Sequence, residues 1–207
     1  MTAWSRQISP NNSGPRWVPI VGVIIHSTRG GAATPELEYH ATIDWFLNPT
    51  SEVSAHRIIG VDGDGVICVD DEDIAWHAGI YNRAWFGVEL VQQGIDIPFT
   101  EAQYKTLANL LKEWSTTYSF PLDRGHIRGH DEVDPRKSDP GPQFDWLYLL
   151  SLLEKKMDKE ALTDALHEVW SVREALRQAA VVFKDLDPLQ QRLFDALVKA
   201  KVAADIG

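Results

Sequence analysis

A seven-residue run, PIVGVII at Pro19–Ile25, constrains the fold most strongly, because most of its side chains are β-branched and none is charged. Such a run is typical of a buried strand. It stops at His26-Ser27-Thr28, which Arg29-Gly30-Gly31 follow as a break. The ring of His26 is therefore expected at the rim of a sheet, on a rigid support of the kind that holds functional side chains.

Strand-like and helix-like segments alternate through the first 150 residues. Further strands are predicted over 53–60, 66–69 and 85–91, with a turn at 62–65 between the first two. Helices are predicted from Thr34, with proline at the first helical position, to about Leu47, from the capping box at 100–103, and from about Phe144. This irregular alternation predicts an α/β domain with a mixed central β-sheet flanked by helices.

The remaining segment, 151–207, has only helical periodicity, and a second helix start is indicated at Asp187-Pro188. Six of the seven histidines precede Leu150. We therefore expect a catalytic domain over 1–150 and a helical extension over 151–207. The pattern leaves open whether the extension packs on the catalytic domain or targets the protein to a wall or membrane.

Composition narrows the classes of partner and site. The 207 residues carry a net charge of −10, which argues against non-specific binding to nucleic acid or anionic membranes. No stretch approaches the ~18 apolar residues of a membrane span, and the first residues lack the pattern of a secretory signal. We therefore expect a soluble protein made in the cytoplasm. With Cys68 as the single cysteine, any metal must be held mainly by histidines and carboxylates.

Two further residues can complete a site with His26. His130 and Asp139 lie nine positions apart in a segment rich in Asp, Pro and Gly, so a loop over His126–Pro142 can aim both side chains at one point. Two imidazoles and one carboxylate suffice for a catalytic zinc with its fourth position open. Spacing alone also fits a hydrogen-bonded rim histidine and an ordinary Asp-Pro turn.

The ordered motifs of the chain resemble those of the type-2 zinc-dependent N-acetylmuramoyl-L-alanine amidases, a family that includes phage endolysins, cytoplasmic wall-recycling amidases and peptidoglycan recognition proteins. The motifs are VIIHST (Val23–Thr28), SAHRIIG (Ser54–Gly60), AWHAG (Ala75–Gly79), FGVEL (Phe86–Leu90) and RGHDEVDPRKSDPGPQFDW (Arg128–Trp146). The resemblance covers about 23–150 and does not extend to 151–207.

The resemblance implies roles for individual residues. It makes His26, His130 and Asp139 the ligands of one Zn²⁺. It makes Glu89 the general base and Lys137 the catalytic lysine that holds the oxyanion. Some relatives use a tyrosine in place of the glutamate, but the corresponding position here is Ala55.

Substrate contacts are less sharply indicated. Trp76 and His77 match family positions along the substrate groove, with rim packing as the alternative. For His56, which alternates with apolar residues, a structural role is favoured over metal ligation.

The implied activity is cleavage of the amide between the lactyl group of N-acetylmuramic acid and the first L-alanine of the peptidoglycan stem. Because the helical extension is unusual for recycling enzymes, the sequence favours a phage or prophage endolysin that a holin or lysis releases to the wall. The alternatives are a cytoplasmic recycling amidase for anhydro-muropeptides and a non-catalytic peptidoglycan-binding module, which the intact ligand set disfavours. Oligomeric state and host are not indicated.

Overall fold

The computed structural model describes residues 4–154, together with residues 167, 168, 171, 172, 192, 195 and 196. The chain divides into two compact units, Met1–Glu154 and Lys155–Gly207. The start of the helix predicted at Asp187 lies outside the described residues. The role of 151–207 stays a prediction. In the part of the chain that the structure describes, no helix has the length and apolarity needed to cross a bilayer.

A six-stranded mixed sheet and a two-stranded ribbon form the framework. Within 4–154 the strands are β1 (Trp4–Arg6), β2 (Asn12–Pro15), β3 (Gly22–Ser27), β4 (Arg57–Ile59), β5 (Gly65–Ile67), β6 (Asp73–Ala75), β7 (Trp85–Leu90) and β8 (Ile127–Gly129). The main sheet has the order β1-β5-β4-β7-β3-β8, and β2 pairs with β6. Only the β4–β5 pairing is antiparallel in the main sheet; β3 is parallel to both β7 and β8.

Within 4–154, three α-helices cover this sheet: α1 (Pro35–Leu47), α2 (Glu101–Tyr118) and α3 (Trp146–Leu153). The side chain of Thr34 caps α1 by accepting from the Leu37 N–H, and Thr100 with Gln103 forms a complete capping box on α2. Each cap satisfies backbone donors that a helix N-terminus leaves without partners. These two helix starts lie where the sequence predicts them.

The two faces of the sheet bury separate apolar clusters, because successive side chains of a strand point to opposite faces. The larger cluster joins Val23, Ile25, Phe86, Val88 and Leu90 to α2 and α3. The smaller cluster joins Ile58 and Val66 to Ile43 and Phe46 of α1. By the same alternation, His26 and Glu89 belong to the α1 face. The mixed sheet with helices on both faces confirms the predicted α/β class.

Several predicted boundaries were wrong. The segment 127–129, predicted as loop, forms β8, and its three residues are too few for a periodicity signal. Strand β4 covers only 57–59 of the predicted 53–60, and α3 begins at Trp146 rather than Phe144. The short strands β1, β2 and β6 were not predicted, because each has only three or four residues and is partly exposed.

We expect Leu107→Ala to lower the free energy of unfolding by about 2–5 kcal/mol, because Leu107 is fully buried between α2 and the sheet. Leu147→Ala is the matched control, since that side chain is 80% exposed; its effect is expected within about 0.5 kcal/mol. Urea denaturation of both variants measures the difference. Equal effects of the two substitutions would contradict the assignment of the core.

Candidate metal centre and active site

Parallel pairing brings two of the candidate ligands to one edge of the sheet. His26 lies near the carboxyl end of β3, and His130 follows directly after β8. Ile25 of β3 is in register with Gly129 of β8, so the next residue of each strand is one of the two histidines. Both imidazoles are buried. Two chain segments 104 positions apart thus meet at one point.

The third ligand candidate, Asp139, arrives on the loop after His130. The backbone N–H of Asp131 donates to the carbonyl of Asp139 at 2.9 Å, which folds the loop back on its start. The loop therefore aims its carboxylate at the two histidines, as its Asp, Pro and Gly content predicts.

Three ligand atoms converge at this point. His26 Nδ1 lies 3.0 Å from His130 Nδ1 and 3.2 Å from Asp139 Oδ2, and His130 Nδ1 lies 3.1 Å from Asp139 Oδ2. Ligand atoms about 2.0–2.1 Å from a tetrahedral zinc are separated from one another by roughly 3.3 Å. The three residues form a potential metal-binding group, and their donor set and spacing fit zinc.

Electrostatics at this triad favour a negatively charged Asp139 carboxylate and a neutral His26 imidazole. Burial alone would raise the pKa of Asp139, but hydrogen bonds with His130 and His26 outweigh it and hold this pKa well below its ordinary value. Burial lowers the pKa of His26, with partial compensation from Asp139. Metal ligation requires these protonation states.

Glu89 and Lys137 border the same cleft as the triad, which has a volume of about 210 Å³. Glu89 is the register partner of His26 on β7, so the two side chains are neighbours on one face of the sheet. Burial, and then the negative charge of Asp139, raise the pKa of Glu89 well above its ordinary value. Titratable groups with strongly shifted pKa values in a cleft are characteristic of catalytic sites.

Trp76 and His77 also line this cleft. The indole Nε1 of Trp76 donates to Ser13 Oγ at 2.7 Å, and His77 Nδ1 lies 3.0 Å from His26 Nε2. Their predicted contacts with substrate stay predictions. His56 is fully buried and does not belong to the metal-binding group; its Nδ1 accepts a 2.9 Å hydrogen bond from the Gly87 N–H. This contact agrees with the structural role expected for it.

Sequence reasoning missed a clamp on the site loop. Arg29 donates through Nη1 to Ser138 Oγ at 2.6 Å and through Nη2 to the Ser138 carbonyl. Ser138 stands between Lys137 and Asp139, so this clamp ties the end of β3 to the segment carrying both residues. A lone arginine after a strand has no sequence signature for such a contact.

A second cavity, of about 350 Å³, was also missed and shares Phe46 and Glu89 with the cleft. Glu38, which is buried, and Trp45, which is 54% exposed, line it from α1. The helical pattern of 34–47 marks these residues only as helix formers, so their position beside Glu89 was not predictable.

A family profile and the similar proteins described below agree on one family. Residues 16–142 match the profile of the N-acetylmuramoyl-L-alanine amidase family. The 1,6-anhydro-N-acetylmuramyl-L-alanine amidase AmpD of Citrobacter freundii is 37% identical over 73% of this chain and 87% of its own length. AmpD of Salmonella typhimurium is 35% identical over 52% of this chain, and this match spans only 61% of the Salmonella protein.

Solved structures show the same fold. A crystal structure of an AmpD derivative matches with a TM-score of 0.59 and 28% identity, covering 74% of this chain and 96% of that one. A mutant endolysin from Bacillus subtilis matches with a TM-score of 0.55 and 19% identity over 74% of this chain and 100% of that one. Because the identity is only 19%, the endolysin comparison shows a shared fold and nothing about function.

We expect Glu89→Gln to raise the melting temperature of the metal-free protein, and to do so increasingly as the pH rises from 4 to 8. A carboxyl whose pKa is raised on folding contributes stability below its unfolded pKa of about 4.3 and loses it as the pH rises. Glutamine does not ionise, so the variant does not lose this stability as the pH rises. Thermal melts across this pH range measure the difference between variant and wild type.

Glu113→Gln is the control, because Glu113 is exposed on α2. Its melting temperature is expected to stay close to that of wild type, because surface substitutions usually change stability by no more than about 0.5 kcal/mol. A Glu89→Gln difference that stays constant or shrinks towards pH 8 would show that the buried environment does not disfavour the ionised carboxylate.

Proposed function

The chain belongs to the N-acetylmuramoyl-L-alanine amidase family, and from that premise we propose that it is a zinc-dependent hydrolase of soluble 1,6-anhydro-muropeptides. The bond cleaved would be the amide between the muramic lactyl group and the first L-alanine of the stem peptide. The convergence of His26, His130 and Asp139 beside Glu89 is the observation that carries this proposal.

The metal would be held by His26 Nδ1, His130 Nδ1 and Asp139 Oδ2. These atoms lie 3.0–3.2 Å apart in the protein alone, so little rearrangement is needed to receive an ion. Zinc bound by such ligands lowers the pKa of water to about 7 and polarises carbonyl groups. One ion per chain follows from the single group of three ligand residues found within the described part of the structure.

Glu89 is proposed as the general base. It stands beside His26 across the β3–β7 pair and borders the cleft, where it can take a proton from the attacking water and pass it to the leaving nitrogen. Burial raises the pKa of Glu89, which makes its carboxylate a stronger proton acceptor.

Lys137 is proposed to stabilise the oxyanion of the tetrahedral intermediate. It borders the same cleft as Glu89, two positions before Asp139, and its backbone is fixed by an N–H donated to the Asp134 carbonyl at 2.9 Å. A hydrogen-bond donor of an oxyanion hole typically contributes about 2.7–4 kcal/mol.

The soluble substrate is favoured over intact wall by the relatives. The AmpD proteins, named for a 1,6-anhydro substrate, share 35–37% identity with this chain, whereas the endolysin structure shares 19%. The sequence argument for an endolysin depended on the extension over 151–207, most of which lies outside the described residues. If the substrate is the soluble muropeptide, the protein acts in the cytoplasm. Release by a holin would be needed only for the endolysin alternative.

We expect Glu89→Gln and Lys137→Met each to reduce kcat at least about 100-fold, because one removes the proton acceptor and the other the oxyanion donor. Both variants should still bind one zinc, measured by elemental analysis after dialysis. Glu113→Gln and Lys112→Met, on the exposed side of α2, are the matched controls and should retain full activity. Near-wild-type turnover in Glu89→Gln would refute its role as the base.

The choice of substrate is tested by comparing a purified anhydro-muropeptide with intact sacculi. Chromatography of the products should show rapid release of the stem peptide from the soluble substrate, abolished by chelation and restored by zinc. Sacculi should be cleared slowly or not at all. Efficient clearing of sacculi with little cleavage of the soluble substrate would instead favour the endolysin alternative.

A further inference from the structure

His77 lies behind a metal-ligand candidate rather than simply along the cleft wall. The two nitrogens of His26 face different partners: Nδ1 faces His130 and Asp139, and Nε2 lies 3.0 Å from His77 Nδ1. The His26 and His77 rings are nearly perpendicular, at 89°, with centroids 5.1 Å apart. His77 Nε2 in turn lies 3.3 Å from the backbone carbonyl of Trp85.

With a metal bound by Asp139 and the two histidines, these contacts would be satisfied by one arrangement of protons. A backbone carbonyl only accepts, so His77 Nε2 carries a proton and donates to Trp85. In a neutral ring the other nitrogen then accepts, so His77 Nδ1 receives a hydrogen bond from His26 Nε2–H. A neutral His26 with its proton on Nε2 has a lone pair on Nδ1, the atom directed at His130 and Asp139.

We propose that His77 is a positioning residue that holds His26 in the tautomer and ring orientation required for binding metal. The inference rests on the proposed zinc site and assigns His77 to the ligand rather than to the substrate. Partners that hold the outer nitrogen of a ligating histidine typically contribute 10–100-fold to metal affinity.

The neighbouring backbone is shaped to admit this ring. A Cβ placed on Gly87 would lie 2.6 Å from Cγ of His77, so only glycine at this position of β7 allows the imidazole to pack over the strand. The side chain of Asn82 accepts from the backbone N–H groups of His77 and Ala78, at 3.1 and 2.6 Å, and fixes the loop that carries the ring. Gly87, which lies two residues before Glu89 in the FGVEL motif, thus leaves space for the His77 ring.

Two variants with side chains of nearly equal shape distinguish loss of the His26–His77 hydrogen bond from loss of packing. His77→Asn keeps an acceptor oxygen on Cγ, where His77 carries Nδ1, while His77→Leu has the same branching and no acceptor. Zinc affinity is measured by competition with a fluorescent chelator on full-length protein. We expect His77→Leu to bind zinc about 10–100-fold more weakly than wild type and His77→Asn to remain within a few-fold of it.

Nitrogen-15 NMR of the histidine side chains provides a readout independent of activity and of any variant's folding. In zinc-loaded wild type, His26 should carry its proton on Nε2, and His77 should be the neutral Nε2–H tautomer. Equal zinc affinity of wild type and His77→Leu, or a proton on His77 Nδ1 in wild type, would overturn the inference. Failure of wild type itself to bind zinc would refute the proposed metal site, which is a separate result.

Discussion

The parallel pairing of β3 with β7 on one side and β8 on the other is the interaction on which the site depends. Parallel strands end at the same edge of a sheet, so these pairings bring the end of the VIIH run together with Glu89 and with His130. The register is exact, because a slip by one residue would turn His26 and Glu89 into the apolar cluster under α2. Burial of Val23, Ile25 and Val88 on that face therefore also orients the polar residues on the other.

The same arrangement partly buries two carboxyl groups close together, and their burial lowers the stability of the folded protein. Glu89 is held where burial opposes its ionisation, and Asp139 is held ionised beside two imidazoles. A folded chain normally avoids such groups unless they have partners. Here, the contacts of Asp139 with the two histidines and the positive charges of Lys137 and Arg29 near Glu89 offset part of that cost. Buried ionisable groups of this kind are expected at a catalytic site, and they lower the stability of the fold.

The sequence predicted the α/β class and the two capped helices from local signals. Local signals also made His26 and Asp139 candidates, but the resemblance to the amidase family selected them, with His130, as metal ligands. His26 ends a β-branched run, Thr100 begins a capping box, and Asp139 lies in a loop of turn-forming residues. Strand β8 has no such signal, since it has only three residues and is defined by its pairing with β3. The position of His77 against His26 likewise depends on contacts between segments 51 positions apart. Arg29 and Glu38 became recognisable only once the loop and α1 were placed around the cleft.

We infer that His26, His130 and Asp139 bind one zinc ion through the atoms that converge here. Crystals of the zinc-loaded protein, with anomalous diffraction measured on both sides of the zinc absorption edge, test it most directly. We expect one anomalous peak per chain, bonded to His26 Nδ1, His130 Nδ1 and Asp139 Oδ2 at about 2.0–2.2 Å. A zinc ion bound elsewhere, or coordination that omits any of these three residues, would contradict it.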